Sequence, residues 1–268
     1  MKHDEFFRRH PVFSIGEFAE YLESRGSHGT RAQETLLAYH RQAGNLLQIK
    51  RGLYAVIPPG ALSETYPVDP YLIAGKITSD AVLSYHTALD FHGRSYSMHN
   101  DFVYSSARPA SALTFHSHTF RGTSFPTSLT KGDATEFGVL LEERYGLALR
   151  VTSLERTLVD VLDRPHLSGS WEEIWRSLES IEFFALDTVI TYVSLLANAT
   201  TAAKVGFYLD QHREVLMVEE RHLKQLREMR PRQPHYFDRG SKTSGKFASE
   251  WNLVIPEELY HSRWGEVL

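Results

Sequence analysis

Ile15, Phe18, Ala19 and Leu22 recur at helical spacing with Glu17, Glu20 and Glu23 between them, so the residues after Ser14 make a helix with one apolar face. Ser14 and Glu17 stand three apart, the spacing of a capping box that satisfies the free amides opening that helix. Gly26, Ser27, His28 and Gly29 break the pattern as a tight turn does. Helical spacing resumes from about Thr30 to Ala43, with Ala32, Leu36, Leu37 and Ala43 expected inward and Thr30, Arg31, Gln33, Glu34 and Arg41 outward. After Gly44 the pattern turns extended: Leu46 to Ile49 and Leu53 to Ile57 flank Lys50-Arg51-Gly52, a hairpin with two cations and a glycine at its tip. Two helices followed by a basic hairpin are the linear signature of a winged helix-turn-helix. The first helix of its core is left to roughly Lys2 to His10.

Pro58-Pro59-Gly60, then Pro67 and Pro70, mark a linker near residues 58 to 70. Beyond it a helix is expected at about Asp80 to His92, stopped by Gly93. Phe102-Val103-Tyr104 and Leu113 to Phe120 read as strands, and Val139 to Glu142 can pair with Leu147 to Val151 across Tyr145-Gly146. The pattern then turns helical: Thr152 or Ser153 caps a helix that Pro165 ends, and further helices are expected at about Trp171 to Ile181, Leu186 to Asn198, Thr200 to Arg213 and Glu214 to Met229. Strands first and helices afterwards give an α+β chain. Residues 1–60 form the winged helix-turn-helix domain, and residues 71–268 a larger mixed α/β domain that ends mostly helical.

Composition narrows the class. At 268 residues, 42% hydrophobic and 23% charged, the chain has room for two domains with cores of their own. It contains no cysteine, which excludes disulfides and thiol nucleophiles. No apolar run has the length of a membrane span, and Met1-Lys2-His3-Asp4-Glu5 is not a secretory start, so no membrane partner and a cytoplasmic location are expected.

Charge is segregated. Between Arg25 and Arg51 five cations (Arg25, Arg31, Arg41, Lys50, Arg51) face one acid, Glu34, in a chain whose net charge is −4. Such a window is an electrostatic footprint for a polyanion, sized for about four phosphates per protomer. Thr30, Arg31 and Gln33 are expected in the major groove, with Arg41, Lys50 and Arg51 on phosphates or an adjacent minor groove. One copy reads a half-site, so inverted repeats would bring two copies together on double-stranded operator DNA. A second window from Arg221 to Lys246 holds eight cations, among them Arg221, Lys224, Arg227, Arg230 and Arg232, against Glu228 and Asp238. It reads either as a second surface for a polyanion or acidic protein, or as a helix face paired with the chain's own acids.

Other chemistry finds little footing. Gly240 to Lys246 has phosphate-loop spacing, but Phe247 stands where the magnesium-binding hydroxyl belongs. Gly169-Ser170 with Asp187 lacks a second carboxylate, because Val189 takes its place. His116 and His118, two apart on an expected strand, share a face without a third ligand nearby. His86 and His92 on an apolar helix suit hydrogen-bonded packing, and Arg156 with Asp160 suits an ion pair along a helix. No catalytic residue, metal or cofactor is expected.

Lys50 to Tyr54, Val82 to Leu89 with His92-Gly93, Thr152 to Asp160, Val205 to Leu209 and Trp251 to Pro256 occur in an order that resembles the AbiEi family of antitoxins from type IV toxin–antitoxin systems. The resemblance covers most of the chain. It implies a repressor whose N-terminal domain binds inverted repeats upstream of its own operon. It further implies that the C-terminal domain counters a cognate nucleotidyltransferase-like toxin, in the best-known cases without a stable complex. A ligand-responsive regulator of another operon is the alternative, and a nucleotide-processing enzyme using the histidines a more remote one.

Overall fold

The computed structural model describes residues 4–26, 29–62, 65–238 and 245–261. The chain is a mixed α+β protein. It divides into two compact units, one made of residues 1–83, 100–124 and 141–151, the other of 84–99, 125–140 and 152–268. The division does not fall at the proline-rich stretch, as the sequence suggested. The strands expected to open a second domain belong instead with the N-terminal residues, because both supply the first unit's packing.

That unit begins with α1 (Asp4–Arg9), β1 (Val12–Ser14), α2 (Ile15–Ser24), α3 (Thr30–Gln42), β2 (Leu46–Lys50) and β3 (Leu53–Val56). The capping box at the start of α2 forms as the spacing predicts: Glu17 N donates to Ser14 Oγ at 3.2 Å and Ser14 N to Glu17 Oε2 at 2.7 Å. β3 lies between β1 and β2 in an antiparallel sheet, with Phe13 opposite Tyr54 and Leu47 opposite Ala55. Phe6, Phe7, Phe13, Phe18, Leu22, Leu37 and Leu46 close the core beneath it. A cluster this aromatic gains edge-to-face contacts beyond its area burial, such as Phe6 on Phe13 with centroids 5.2 Å apart.

Next come α4 (Pro70–Lys76), β4 (Val82–Leu83), α5 (His86–Phe91), β5 (Asp101–Ser106), β6 (Leu113–Phe115), β7 (His118–Ser124), α6 (Thr127–Lys131), β8 (Val139–Arg144) and β9 (Leu147–Thr152). The helix expected from Asp80 is in fact split. Val82 and Leu83 are fully buried in the middle of a six-stranded sheet of order β6-β7-β5-β4-β9-β8, and Tyr85 at φ 58° breaks the chain before α5. Helical periodicity cannot separate two buried strand residues from a helix turn. The expected strand from Leu113 to Phe120 is likewise a hairpin, with His116 and Ser117 at its turn. α4 crosses this sheet so closely that a Cβ on Gly75 would stand 2.6 Å from the Leu149 side chain.

The second unit is built on α7 (Leu154–Asp163), α8 (Trp171–Glu179), α9 (Leu186–Leu196), α10 (Ala199–Gln211) and α11 (Glu220–Met229). It closes with β10 (His235–Tyr236), β11 (Gly245–Ala248), β12 (Leu253–Pro256) and α12 (Glu257–Tyr260). α11 starts at Glu220, six residues later than expected, where a Glu219–His222 capping box sets its first turn. β12 is the centre strand, parallel to β10 and antiparallel to β11. Val205-Gly206-Phe207 and Trp251 meet here: the Trp251 ring lies against the backbone of Gly206, where a Cβ would come within 2.0 Å of it. Arg156 and Asp160, expected as a helix ion pair, are buried. Arg156 Nη1 donates to the carbonyls of Thr135 at 2.7 Å and Phe137 at 2.8 Å, and Tyr192 Oη donates to Asp160 at 2.6 Å. Both carboxylate oxygens, and Nε and Nη1 of the guanidinium, thus have polar partners, which buried charges require. Among the described residues no helix is long and apolar enough to cross a membrane.

Candidate nucleic-acid interface

The buried stripe of α3 is Gln33, Leu37 and His40. Of the four residues expected inward, Leu37 is buried and Leu36 is half-buried against the same core, whereas the two alanines are not. Ala32 and Ala43 are exposed. Their side chains are too short to reach α2 and α1, whereas the longer polar side chains do: Gln33 Nε2 donates to Ile15 O at 2.7 Å, and the His40 ring stands edge-on to Phe7 at 4.9 Å. Gln33, only 5% exposed, is therefore withdrawn from the surface on which it was expected to read bases.

At about 100° per residue, Arg31, Thr35, Ala38 and Gln42 run down the face opposite that stripe, with Thr30, Glu34 and Arg41 along one flank. All seven are exposed. Among the described residues the guanidinium groups of Arg31, Arg41 and Arg51 have no hydrogen bond or ion pair. Thr35 and Gln42 were missed from sequence; anchoring the helical wheel on Leu37 rather than on the alanines would have found them.

The cations of the first window divide in two. Arg25 pairs with Glu5 at 2.8 Å. Lys50, expected at the hairpin tip as a phosphate contact, instead donates its ammonium to Ile77 O at 2.9 Å, and burial lowers its pKa. A register shift between Gln48 and Lys50 accompanies this turn of the side chain toward the C-terminal end of α4. Lys76 meets Glu17 beside it. Burial pushes the Glu17 carboxyl up, but Lys76 and the Ser14 amide outweigh it and hold the pKa below the ordinary value.

Arg51 remains exposed beside Gly52, whose φ of 82° makes the two-residue turn. The carbonyl of Gly52 accepts from Ile15 N at 2.8 Å. Ile15 thus binds the hairpin tip through its amide and Gln33 through its carbonyl, so the first turn of α3 and the tip with Arg51 are held on one residue.

The second basic window is also divided. Arg221 pairs with Glu219 and Asp187, both at 3.0 Å, and Arg227 with Glu220 at 2.5 Å and Glu250 at 2.6 Å. Those two arginines belong to the ion-paired alternative. Lys224, Arg230 and Arg232 make no ion pair among the described residues. Most of the Gly240 to Lys246 segment lies outside the described residues.

The histidines weighed for chemistry are engaged or apart. His86 Nε2 lies 3.0 Å from Ser97 O, and His92 Nε2 lies 2.9 Å from Thr152 O. His99 is stacked on His86 at 3.8 Å and stands 2.9 Å from Glu173, which also accepts from Ser97 and from Ser170 N. His116 sits at φ 50° in the β6–β7 turn that separates it from His118, so the two do not share a strand face. Among the described residues no group of three or more histidine, aspartate or glutamate side chains is arranged to hold a metal.

No protein-family model matches the chain, and no curated protein sequence matches it. Among solved structures, the fold is similar to the crystal structure of the RV2827C protein from Mycobacterium tuberculosis. The TM-score is 0.57 with 17% identity, over 94% of this chain and 89% of that one. At that identity the likeness concerns the fold alone.

Proposed function

We propose that the N-terminal elements act as a winged helix-turn-helix that binds double-stranded DNA. The observation that carries this is the set of exposed, unpaired arginines 31, 41 and 51, two of them on segments joined through Ile15. A helix face with Arg31 and Gln42 has the donors and acceptors that read base edges in a major groove, while Thr35, whose Oγ1 donates to Arg31 O at 2.8 Å, offers its methyl and its acceptor lone pairs. Arg41 and Arg51 at its sides suit phosphates. Gln33 and Lys50 have no part in this version of the interface, since both donate within the protein. Combined with the AbiEi resemblance, the reading is of an autorepressor that occupies inverted repeats as two copies. In that reading it also serves as the antitoxin to a nucleotidyltransferase-like toxin.

Retention on operator DNA tests it. With three unpaired cations per protomer, log affinity falls against log salt with a slope of about −3 per protomer. Arg31→Ala with Arg51→Ala reduces that slope by about 2, whereas Lys50→Ala leaves it nearly unchanged. A slope near zero, or an equal loss from Lys50→Ala, would overturn the assignment. Co-expression with an adjacent nucleotidyltransferase-like gene tests the antitoxin role: growth rescued by the full chain supports it, and unrelieved toxicity refutes it.

A further inference from the structure

Tyr236 and Phe247 lie in register on either side of Val254, each paired with it across the sheet β10-β12-β11. Directly paired residues project from the same face. Leu253 and Ile255, which alternate with Val254, are fully buried on the other face, so the face bearing Tyr236, Val254 and Phe247 is the outer one. Tyr236 is 63% exposed and Phe247 50% exposed, and neither ring stacks on another side chain among the described residues. Strand spacing sets the two rings about 10 Å apart. Exposed aromatic rings in a row are unusual on a short sheet.

Beside this row is a cleft of about 440 Å³ lined by Lys224, Arg230, Arg232, Glu228, Arg227 and Asn252. Asn252 joins the two features: its side chain donates to Pro231 O at 2.9 Å, and its carbonyl accepts from His235 N at 2.9 Å, one residue before Tyr236. Arg227 is neutralised by its own carboxylates, which leaves Lys224, Arg230 and Arg232 against Glu228, a net positive lining. Two aromatic platforms on a sheet, with a cationic track at its end, match one partner chemistry. Unstacked bases need π-faces to lie on, and the strand that carries them needs neutralised phosphates. A duplex offers its phosphates but keeps its bases stacked, and an acidic peptide would use the cations and leave the rings idle.

The geometry points to a single-stranded nucleic acid as the occupant of this face, its bases stacked on Tyr236 and Phe247 and its phosphates held by Lys224, Arg230 and Arg232. This surface is independent of the helix and hairpin assigned to duplex DNA.

The test is fluorescence anisotropy of the full-length chain with a labelled oligouridylate about twelve nucleotides long, and with the matching oligothymidylate. Binding weakens about fivefold or more in Tyr236→Ala and in Phe247→Ala, and further in the double variant. Tyr236→Trp and Phe247→Trp keep or strengthen it, which a merely structural role would not produce. The salt slope of about −2 falls toward zero in Lys224→Ala/Arg230→Ala/Arg232→Ala. Both strands binding alike assigns recognition to bases and phosphates, and tighter RNA binding adds the 2′-hydroxyl. Arg31→Ala/Arg51→Ala retains oligouridylate binding, so failure of the duplex reading leaves this one standing. Absence of binding to either strand, or equal binding by the aromatic double variant with an unchanged melting midpoint, overturns the proposal.

Discussion

Glu173 shows how a few atoms set a pH response. Burial alone would lift its pKa, but hydrogen bonds from His99, Ser97 and Ser170 hold it at about 2, against 4.5 for the unperturbed group. Its folded pKa is depressed, so its stabilisation is complete above about 4.5 and is lost as pH falls toward 2. Glu173→Gln therefore lowers the melting midpoint at neutral pH, and thermal scans of the two proteins converge between about pH 4.5 and 2. A gap that stays constant across that range would show that these bonds do not favour the charged form. The same scale explains what was illegible at Gln33 and Lys50. Sequence marks both as polar, but a polar side chain is withdrawn wherever a carbonyl inside the fold satisfies it, and only the folded neighbours, Ile15 O and Ile77 O, reveal that.

Among the elements, side-chain caps were easier to read than buried faces or registers, although the starts of α5 and α11 were expected six residues too early. Ser14-Glu17 and Ser153, both read as caps from the sequence, cap their helices with their own side chains, an interaction confined to four consecutive residues; the capping box of Ser170 and Glu173 has the same form but was not read. The buried face of α3 depends on what α1 and α2 offer it, and β4 on a sheet assembled from distant segments, so neither could be read locally. Gly206 belongs to this class: its need for hydrogen rather than a methyl comes from Trp251, 45 residues later in the chain. Gly206→Ala, which would gain helix propensity in isolation, destabilises the protein by about 3 kcal/mol because the Trp251 ring has to move. Chemical denaturation measures this, and a neutral or stabilising result would mean that the ring yields easily.

For the whole molecule, the compact units cut across the linear order. Residues 1–83 share a unit with 100–124 and 141–151, and Lys50 with Ile77 and Glu17 with Lys76 tie across the stretch where a linker was expected. A fragment of residues 71–268 therefore loses part of a packed unit, and its melting midpoint lies below that of the full chain. An unchanged midpoint would restore the boundary drawn from the prolines. What the amino-acid order determined by itself were short-range features: helix caps, the hairpin at Lys50 to Leu53, the absence of cysteine chemistry, and the two windows of positive charge. Each depends on neighbours within a few residues or on simple counting. Which cations of those windows stay free, which face of α3 is outward, and that Tyr236 and Phe247 flank one valine were decided by tertiary structure. Each of these is set by a partner brought from elsewhere in the chain, and burial and hydrogen bonding act on contacts in space, whatever the separation along the backbone.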